Sequence, residues 1–398
     1  MTTAHSAPSV LGGPSALSVL SARIRSRLVL DSAHATRESV SRALQHEGVV
    51  LSEQAFESLV TEMEREFNGA GILQPLLDEP GVTDVLVNGT HPVWCDRGQG
   101  LERTDISFDT DAEVRRYAQR LASMAGRRLD DAAPMVDARL PDGTRFHCVL
   151  APISTDGTTI SLRIPSSSSF SLDSLLAHGS VNCELRDLLI AIIHSRLAFM
   201  VSGGTGTGKT TVLAALLAQV SPDHRIVIVE DSAELNPQHA HVVRMQARLP
   251  NVEGAGAITL RDLVRASLRM RPNRIVVGEV RGAEVVELLS ALNTGHEGGC
   301  GTVHANSPAD VPARLEALGL TAGLDRVALH ALMGAGLDAV VHLQRLPSGE
   351  RIVFGIHTTQ RGADGLTRTI PAIEWNGTTW IRASGWAALH ERIKRGAT

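Results

Sequence analysis

Lysine is almost missing from this sequence. Of 38 basic side chains in 398 residues only Lys209 and Lys394 are lysines, the rest being arginines. So large an arginine excess reads as the bias of a GC-rich genome, and it makes the ammonium at position 209 a question of local chemistry. A basic surplus is missing too. The net charge of -5 gives extended contact with a nucleic-acid backbone little electrostatic support from the chain as a whole, and leaves local basic patches open. Aromatics make up 3% of the chain, too few for the platforms on which single-stranded nucleic acid stacks. The four cysteines, Cys95, Cys148, Cys183 and Cys300, form no C-x-x-C pair. Neither a zinc site nor a disulfide framework is indicated, and a reducing cytoplasm is the expected compartment. The longest apolar run, 188–193, stops at His194, far short of the roughly 20 residues that span a bilayer. No basic residue precedes Arg23, so the beginning of the chain does not read as a signal peptide.

What is present divides the chain into six stretches. Residues 1–35, rich in Ser, Ala, Gly and Pro, read as a poorly ordered tail. In a helical segment, 36–68, the apolar residues Phe56, Leu59, Val60, Met63 and Phe67 recur at helical spacing. Residues 69–165 read as an α/β domain. It has a short strand at 82–87, a helix carrying Val114, Tyr117, Ala118, Leu121 and Ala122 on one face, and strands at 145–150 and 159–164 that alternate with period two. In those two strands Phe146, Cys148, Ile160 and Leu162 mark the buried face, and Arg145 and Arg163 stand opposite it. Four consecutive serines, Ser166 to Ser169, open a linker or hinge at 166–180. From 181 to 346 short apolar strands alternate with helices, the pattern of a mainly parallel sheet with crossover connections. The last stretch, 347–398, reads as a small antiparallel appendage closed by a helix.

The strongest local signal is Gly203-x-x-x-x-Gly208-Lys209-Thr210, set between the apolar strand 198–201 and an apolar helix. Together Gly203, Gly204, Thr205, Gly206, Thr207, Gly208, Lys209, Thr210 and Thr211 fit a P-loop in its required strand-to-helix context. Backbone amides there curl around a phosphate chain, Lys209 reaches the terminal phosphates, and the Thr210 hydroxyl serves Mg²⁺. The pocket fits a compact point charge better than a planar fork, which explains a lysine in an arginine chain.

Hydrolysis of ATP also needs carboxylates. One apolar strand, 226–229, runs into Glu230 and Asp231, with Glu234 close behind, and another, 275–277, runs through Gly278 into Glu279. Both sit where parallel strands present ligands, at their carboxyl ends. Glu279 is assigned to the magnesium shell and Glu230 to water activation, and the residue pattern leaves the exchange of these roles open. His304, between Thr302 and Asn306, is placed to sense the terminal phosphate by hydrogen bonding.

In order, these stretches resemble the secretion ATPase superfamily that drives type II and type IV secretion and pilus assembly. Its Walker A motif is matched by 203–210, its Asp box by 228–235, its Walker B glutamate by 275–279 and its His box by 301–306. The run from Leu268 through Arg281 and Gly282, with Asn293-Thr294-Gly295-His296-Glu297-Gly298 behind it, is particularly similar to the tight-adherence (Flp) pilus ATPases, and 136–145 looks like their N-terminal domain. The resemblance implies an N-terminal α/β domain, PAS-like and preceded by helices, linked to a RecA-like ATPase domain. It further implies a homohexamer, ATP held between the two domains, and phosphate contacts from arginines at the matching positions, Arg139, Arg145 and Arg163. The implied partners are polytopic inner-membrane platform proteins, which would hold the protein at the cytoplasmic face. No four-cysteine zinc motif is present, and this favours the tight-adherence or conjugative branch.

Overall fold

The computed structural model describes residues 20, 23, 24, 27, 37–49, 51–68, 70–98, 100–165, 170–248, 250 and 255–396. Two compact units emerge, residues 1–166 and 167–398. The expected serine hinge, 166–169, lies outside the described residues, and the linker read beyond it contains a helix, Leu172–Ala177, begun by the Ser171 side chain accepting from the Ser174 amide. Of the expected tail only Leu20, Arg23, Ile24 and Arg27 are described. Leu20 and Ile24 are buried with Val40, Leu44, Leu59 and Val60, so this part of the segment joins a small core. The side chains of Met63 and Phe67 lie outside the described residues.

Unit 1 contains β1 (Asp84–Asn88), β2 (Trp94–Asp96) and β3 (Leu101–Arg103) and is built on a six-stranded antiparallel sheet, β3-β2-β1-β6-β5-β4. The strands that position its functional residues are β4 (Met135–Arg139), β5 (Arg145–Val149) and β6 (Thr159–Arg163). The helix Asp111–Met124, capped by the Thr110 hydroxyl, lays Val114, Tyr117, Ala118 and Leu121 against Phe146, Cys148, Ile160 and Leu162 of one sheet face. Alternation along β5 and β6 therefore sends Arg145 and Arg163 to the other face.

Unit 2 is a nine-stranded sheet in the order β15-β14-β13-β12-β7-β11-β10-β8-β9. Strands β7 (Phe199–Gly203), β8 (Ile226–Glu230), β9 (Val242–Gln246), β10 (Arg274–Val277), β11 (Cys300–His304) and β12 (Ala339–Arg345) pair in parallel. Their interior strands read as continuous apolar runs because both faces are covered. Phe199 and Val201 enter one core with the helices Cys183–His194 and Lys209–Leu217, while Ala198 and Met200 enter the other with the helices Leu260–Ser267 and Glu284–Leu292.

The C-terminal stretch differs from a separate appendage. Strands β13 (Arg351–Arg361), β14 (Thr367–Trp375) and β15 (Trp380–Arg382) extend the same sheet antiparallel from β12, and Leu389 of the closing helix Trp386–Gly396 is buried in the same core as Phe199. Most of β13 is buried, so it carries no period-two signature from which its place in the sheet could be read.

This extension buries His357, which is 3% exposed. Burial pushes its pKa down to about 4, with His342 adding to the effect. The facing Glu374 carboxyl, 3.1 Å away, is itself pushed up by burial. The unfolded chain binds a proton at a free imidazole near pH 6.5, so between about 6.5 and 4 it holds more protons than the native state. The contribution of His357 is therefore fully present above about pH 6.5 and is lost as pH drops toward 4, on the order of 2 kcal/mol of it by pH 5. Urea unfolding followed by tryptophan fluorescence at pH 7 and pH 5 should show a shallower decline in His357→Gln than in the unsubstituted chain. Equal declines contradict the assignment.

Candidate nucleotide site

The glycine-rich loop leaves the buried centre of the sheet. β7 lies between β11 and β12, and at Gly203 the chain turns with φ 150°, a conformation that side chains rarely adopt. A Cβ there would stand 2.6 Å from the Leu343 carbonyl oxygen and 2.8 Å from Thr207 Oγ1. The Thr207 hydroxyl donates to the Gly204 carbonyl at 2.9 Å and closes the loop. Left-handed Gly208 then starts the helix Lys209–Leu217 with no side-chain cap on its first amides. Such an open N-terminus, with its positive dipole end, suits an anion.

Lys209 is 8% exposed. Its ammonium donates to the carbonyls of Gly203 at 3.0 Å and Gly204 at 2.8 Å, and meets His304 Nδ1 at 3.3 Å. The strand register sets His304 directly beside Gly203. His304 Nε2 lies 3.0 Å from Glu279 Oε1, and Arg281 donates to Glu279 Oε2. Lys209, His304, Glu279 and Arg281 thus form one polar chain across the ends of β7, β11 and β10.

The charges on this chain bias one another. Burial draws the Lys209 ammonium below its usual value, with Glu279 opposing the shift and Arg281 reinforcing it. Burial, then Lys209, hold His304 below the ordinary histidine value against the pull of Glu279. The ring is therefore neutral at pH 7, accepting from Lys209 at Nδ1 and donating to Glu279 at Nε2. Burial pushes the Glu279 carboxyl up, but Arg281, His304 and Lys209 together outweigh it, and the net shift is downward. Glu279 is an ionised acceptor at neutral pH.

Glu230 is held differently. It is 4% exposed, and its Oε1 accepts from the amides of Glu234 at 3.1 Å and Leu235 at 3.0 Å. Its Cγ lies 2.5 Å from where a Gly278 Cβ would be, so only glycine lets the carboxylate cross the end of β10. Asp231 and Glu234 are exposed on the loop so formed, and their charges act on Arg281. Thr205 and Gly206 are exposed at the crest of the glycine loop, and Thr210 and Thr211 are half-buried in the first helical turn.

In unit 1 the three arginines line up. Arg139 pairs with Arg145 and Arg145 with Arg163, one transverse row on β4, β5 and β6 that ends at Asp84, 3.4 Å from Arg163. Arg281 has no role in a reading of the sequence. The signal for it was its place two residues beyond Glu279.

A profile of the type II/IV secretion system protein family matches residues 66–368. The chain belongs to this family. Among relatives of this type II/IV secretion protein, a Mycobacterium tuberculosis protein named for a proposed role in conjugal transfer is 51% identical over 346 residues, covering 84% of this chain and 96% of its own length. The conjugal transfer protein TrbB of Rhizobium radiobacter is 32% identical over 286 residues, covering 71% of this chain and 85% of its own. In fold the secretion protein is similar to the pilus retraction motor PilT, solved with bound ADP, with a TM-score of 0.52 and 17% identity over 81% of this chain and 85% of that one. It is also similar to the ATPase DotB of Legionella pneumophila, with a TM-score of 0.50 and 18% identity over 74% and 80%. The mixed α/β architecture, with a RecA-like second unit, is that of the family.

Proposed function

We propose that this secretion-system protein is an ATPase whose hydrolysis drives protein transport. The observation that carries the reading is the meeting of Lys209, His304 and Glu279 at the mouth of the glycine loop. In the reaction a water oxygen bonds to the γ-phosphorus, the bond from that phosphorus to the β–γ bridging oxygen breaks, and ADP and phosphate leave with the water's proton passing to solvent. Loop amides and Lys209 hold the phosphates, Glu279 orients the water, and His304 senses the terminal phosphate. The Thr210 hydroxyl, with Glu279 acting through a water, offers the hard oxygens that suit Mg²⁺, beside a cradle that a Cβ at Gly203 would fill. Mg²⁺ would neutralise phosphate charge there. Purified protein should release phosphate from Mg-ATP, and an inert preparation that also fails to bind ADP would sink the proposal.

The resemblance to the secretion ATPases further implies a homohexamer and phosphate contacts from Arg139, Arg145 and Arg163, of which Arg163 gives the test. An arginine finger is worth about 10³ to 10⁵ in turnover. With three guanidinium groups sharing the work, Arg163→Ala should keep ATP binding and lose at least about tenfold in kcat. Unchanged turnover removes Arg163 from the site.

The motor acts on polytopic inner-membrane platform proteins from the cytoplasmic side. Among the described residues no helix is long and apolar enough to cross a membrane, so the partners would provide the attachment. The motifs around Arg271 and Asn293 support a tight-adherence pilus as the machine served. The conjugal transfer names of the relatives favour a second reading, a conjugative or effector-secretion motor. A deletion strain separates them: loss of surface filaments supports the first, and loss of plasmid transfer with filaments intact supports the second. Stimulation of hydrolysis by DNA would instead favour a nucleic-acid motor on the same core.

A further inference from the structure

His342 lies on β12, opposite Ser202 of β7. It is 3% exposed and Ser202 is fully buried, an expensive place for an imidazole and a hydroxyl unless each finds a partner. His342 Nδ1 stands 2.9 Å from Ser202 Oγ. The Asn306 backbone also acts on the ring and favours its protonated form, as a nearby carbonyl oxygen does. Burial pushes His342 down to about 4, so at neutral pH one nitrogen accepts and the other donates. Phe354 of β13 meets the ring edge to face, with centroids 6.1 Å apart, and fixes its plane.

The two partners are not arbitrary points in the core. Ser202 immediately precedes Gly203, whose carbonyl accepts from Lys209. Asn306 stands two residues beyond His304, which touches both Lys209 and Glu279. The loop after His304 has a second brace from the C-terminal strands, because the Thr369 hydroxyl of β14 donates to the Pro308 carbonyl at 3.0 Å. Among the described residues, the backbone link between the glycine loop and the His304 strand is the β7–β11 pairing, which ends at Gly203 and His304. Beyond that point side chains link the two loops: Lys209 reaches His304 from the glycine loop, and His342 reaches Ser202 from β12.

We propose that His342 is a positioning residue of the ATPase site, bracing the strand that enters the glycine loop against the loop that leaves His304 through its bond to the Ser202 hydroxyl and its contact with the Asn306 backbone. It touches neither nucleotide nor water. It sets the separation of Lys209, His304 and Glu279, on which hydrolysis depends more steeply than nucleotide binding does. The C-terminal strands thereby serve the site as well, since they carry the brace's supports, Phe354 and Thr369, to a pocket built by other strands.

The inference rests on the ATPase reading, and the test separates the two. Steady-state kcat and KM for Mg-ATP, affinity for a fluorescent ADP analogue, and thermal midpoints are measured on the full chain for the unsubstituted protein, Lys209→Ala, His342→Leu, His342→Gln and Ser202→Ala. His342→Leu should lower kcat about tenfold with KM changed less than about threefold, since sub-ångström misplacement acts on the transition state. His342→Gln places a donor where the second ring nitrogen was and should regain most of the lost kcat. Ser202→Ala should fall between them. An unchanged kcat in His342→Leu overturns the proposal. So does a kcat loss that follows the thermal midpoint alone and is no smaller in His342→Gln, which would make the histidine a packing residue. If the unsubstituted chain shows no turnover beyond that of Lys209→Ala, the ATPase reading itself fails and the inference that rests on it falls with it.

Discussion

Lys209→Ala is expected to abolish ATP hydrolysis, with kcat/KM reduced at least about 10³-fold, while the fold survives. The ammonium is the buried cation nearest the loop carbonyls of Gly203 and Gly204 and the only one hydrogen-bonded to His304 among the described contacts. Removing it takes away the main positive charge for the terminal phosphates and frees His304 Nδ1. Folding should suffer little, because burial already disfavours the charged lysine. Lys209→Arg sharpens the point. A guanidinium keeps the charge but spreads it over a planar fork, and the pocket closes on a point charge with carbonyls on one side and an imidazole on the other. It should rescue less than about a tenth of the lost activity. Phosphate release and ADP binding, measured beside circular dichroism, decide the matter. A fully active arginine variant contradicts the account of why this chain keeps a lysine here.

Much of this site could be read from the sequence because its parts are local. The spacing of Gly203, Gly208, Lys209 and Thr210 between an apolar strand and an apolar helix is a backbone requirement, and strand ends that run into Glu230 and Glu279 follow from parallel-sheet geometry. Period-two alternation also gave the orientation of Arg145 and Arg163, although their alignment with Arg139 depends on strand register, which no single strand encodes. The C-terminal strands were harder. β13 is largely buried, polar His357, Thr358 and Thr359 included, so it shows no alternation, and its union with β12 is a nonlocal pairing. His342 was hidden for the same reason. A lone histidine in the apolar run Ala339-Val340-Val341-His342-Leu343 carries no periodic signal, and its partners lie 140 and 36 positions away in the chain.

Glu279 and Glu230 are alike in sequence, each following a buried strand, and the structure holds them differently. Glu279→Gln should keep ATP binding and lower kcat by about 10² to 10³, because the amide still accepts from His304 and cannot offer an ionised oxygen to a water or to Mg²⁺. Glu230→Gln should cost less than about tenfold, since a glutamine oxygen can still accept from the Glu234 and Leu235 amides and hold the loop that carries Asp231. Glu230→Ala removes that acceptor and leaves two amides to find others, so it should lower both activity and thermal midpoint. Ordinary carboxylate chemistry at Glu230 would invert the order of the two glutamine variants. Its measurement in single-turnover assays therefore tests the exchange of roles that the strand-end pattern left open. The downward shift of Glu279 fits this division: a phosphoryl group leaving through a loose transition state needs the attacking water aimed more than it needs a strong base, and an ionised carboxylate anchored by His304 and Arg281 is built for aiming.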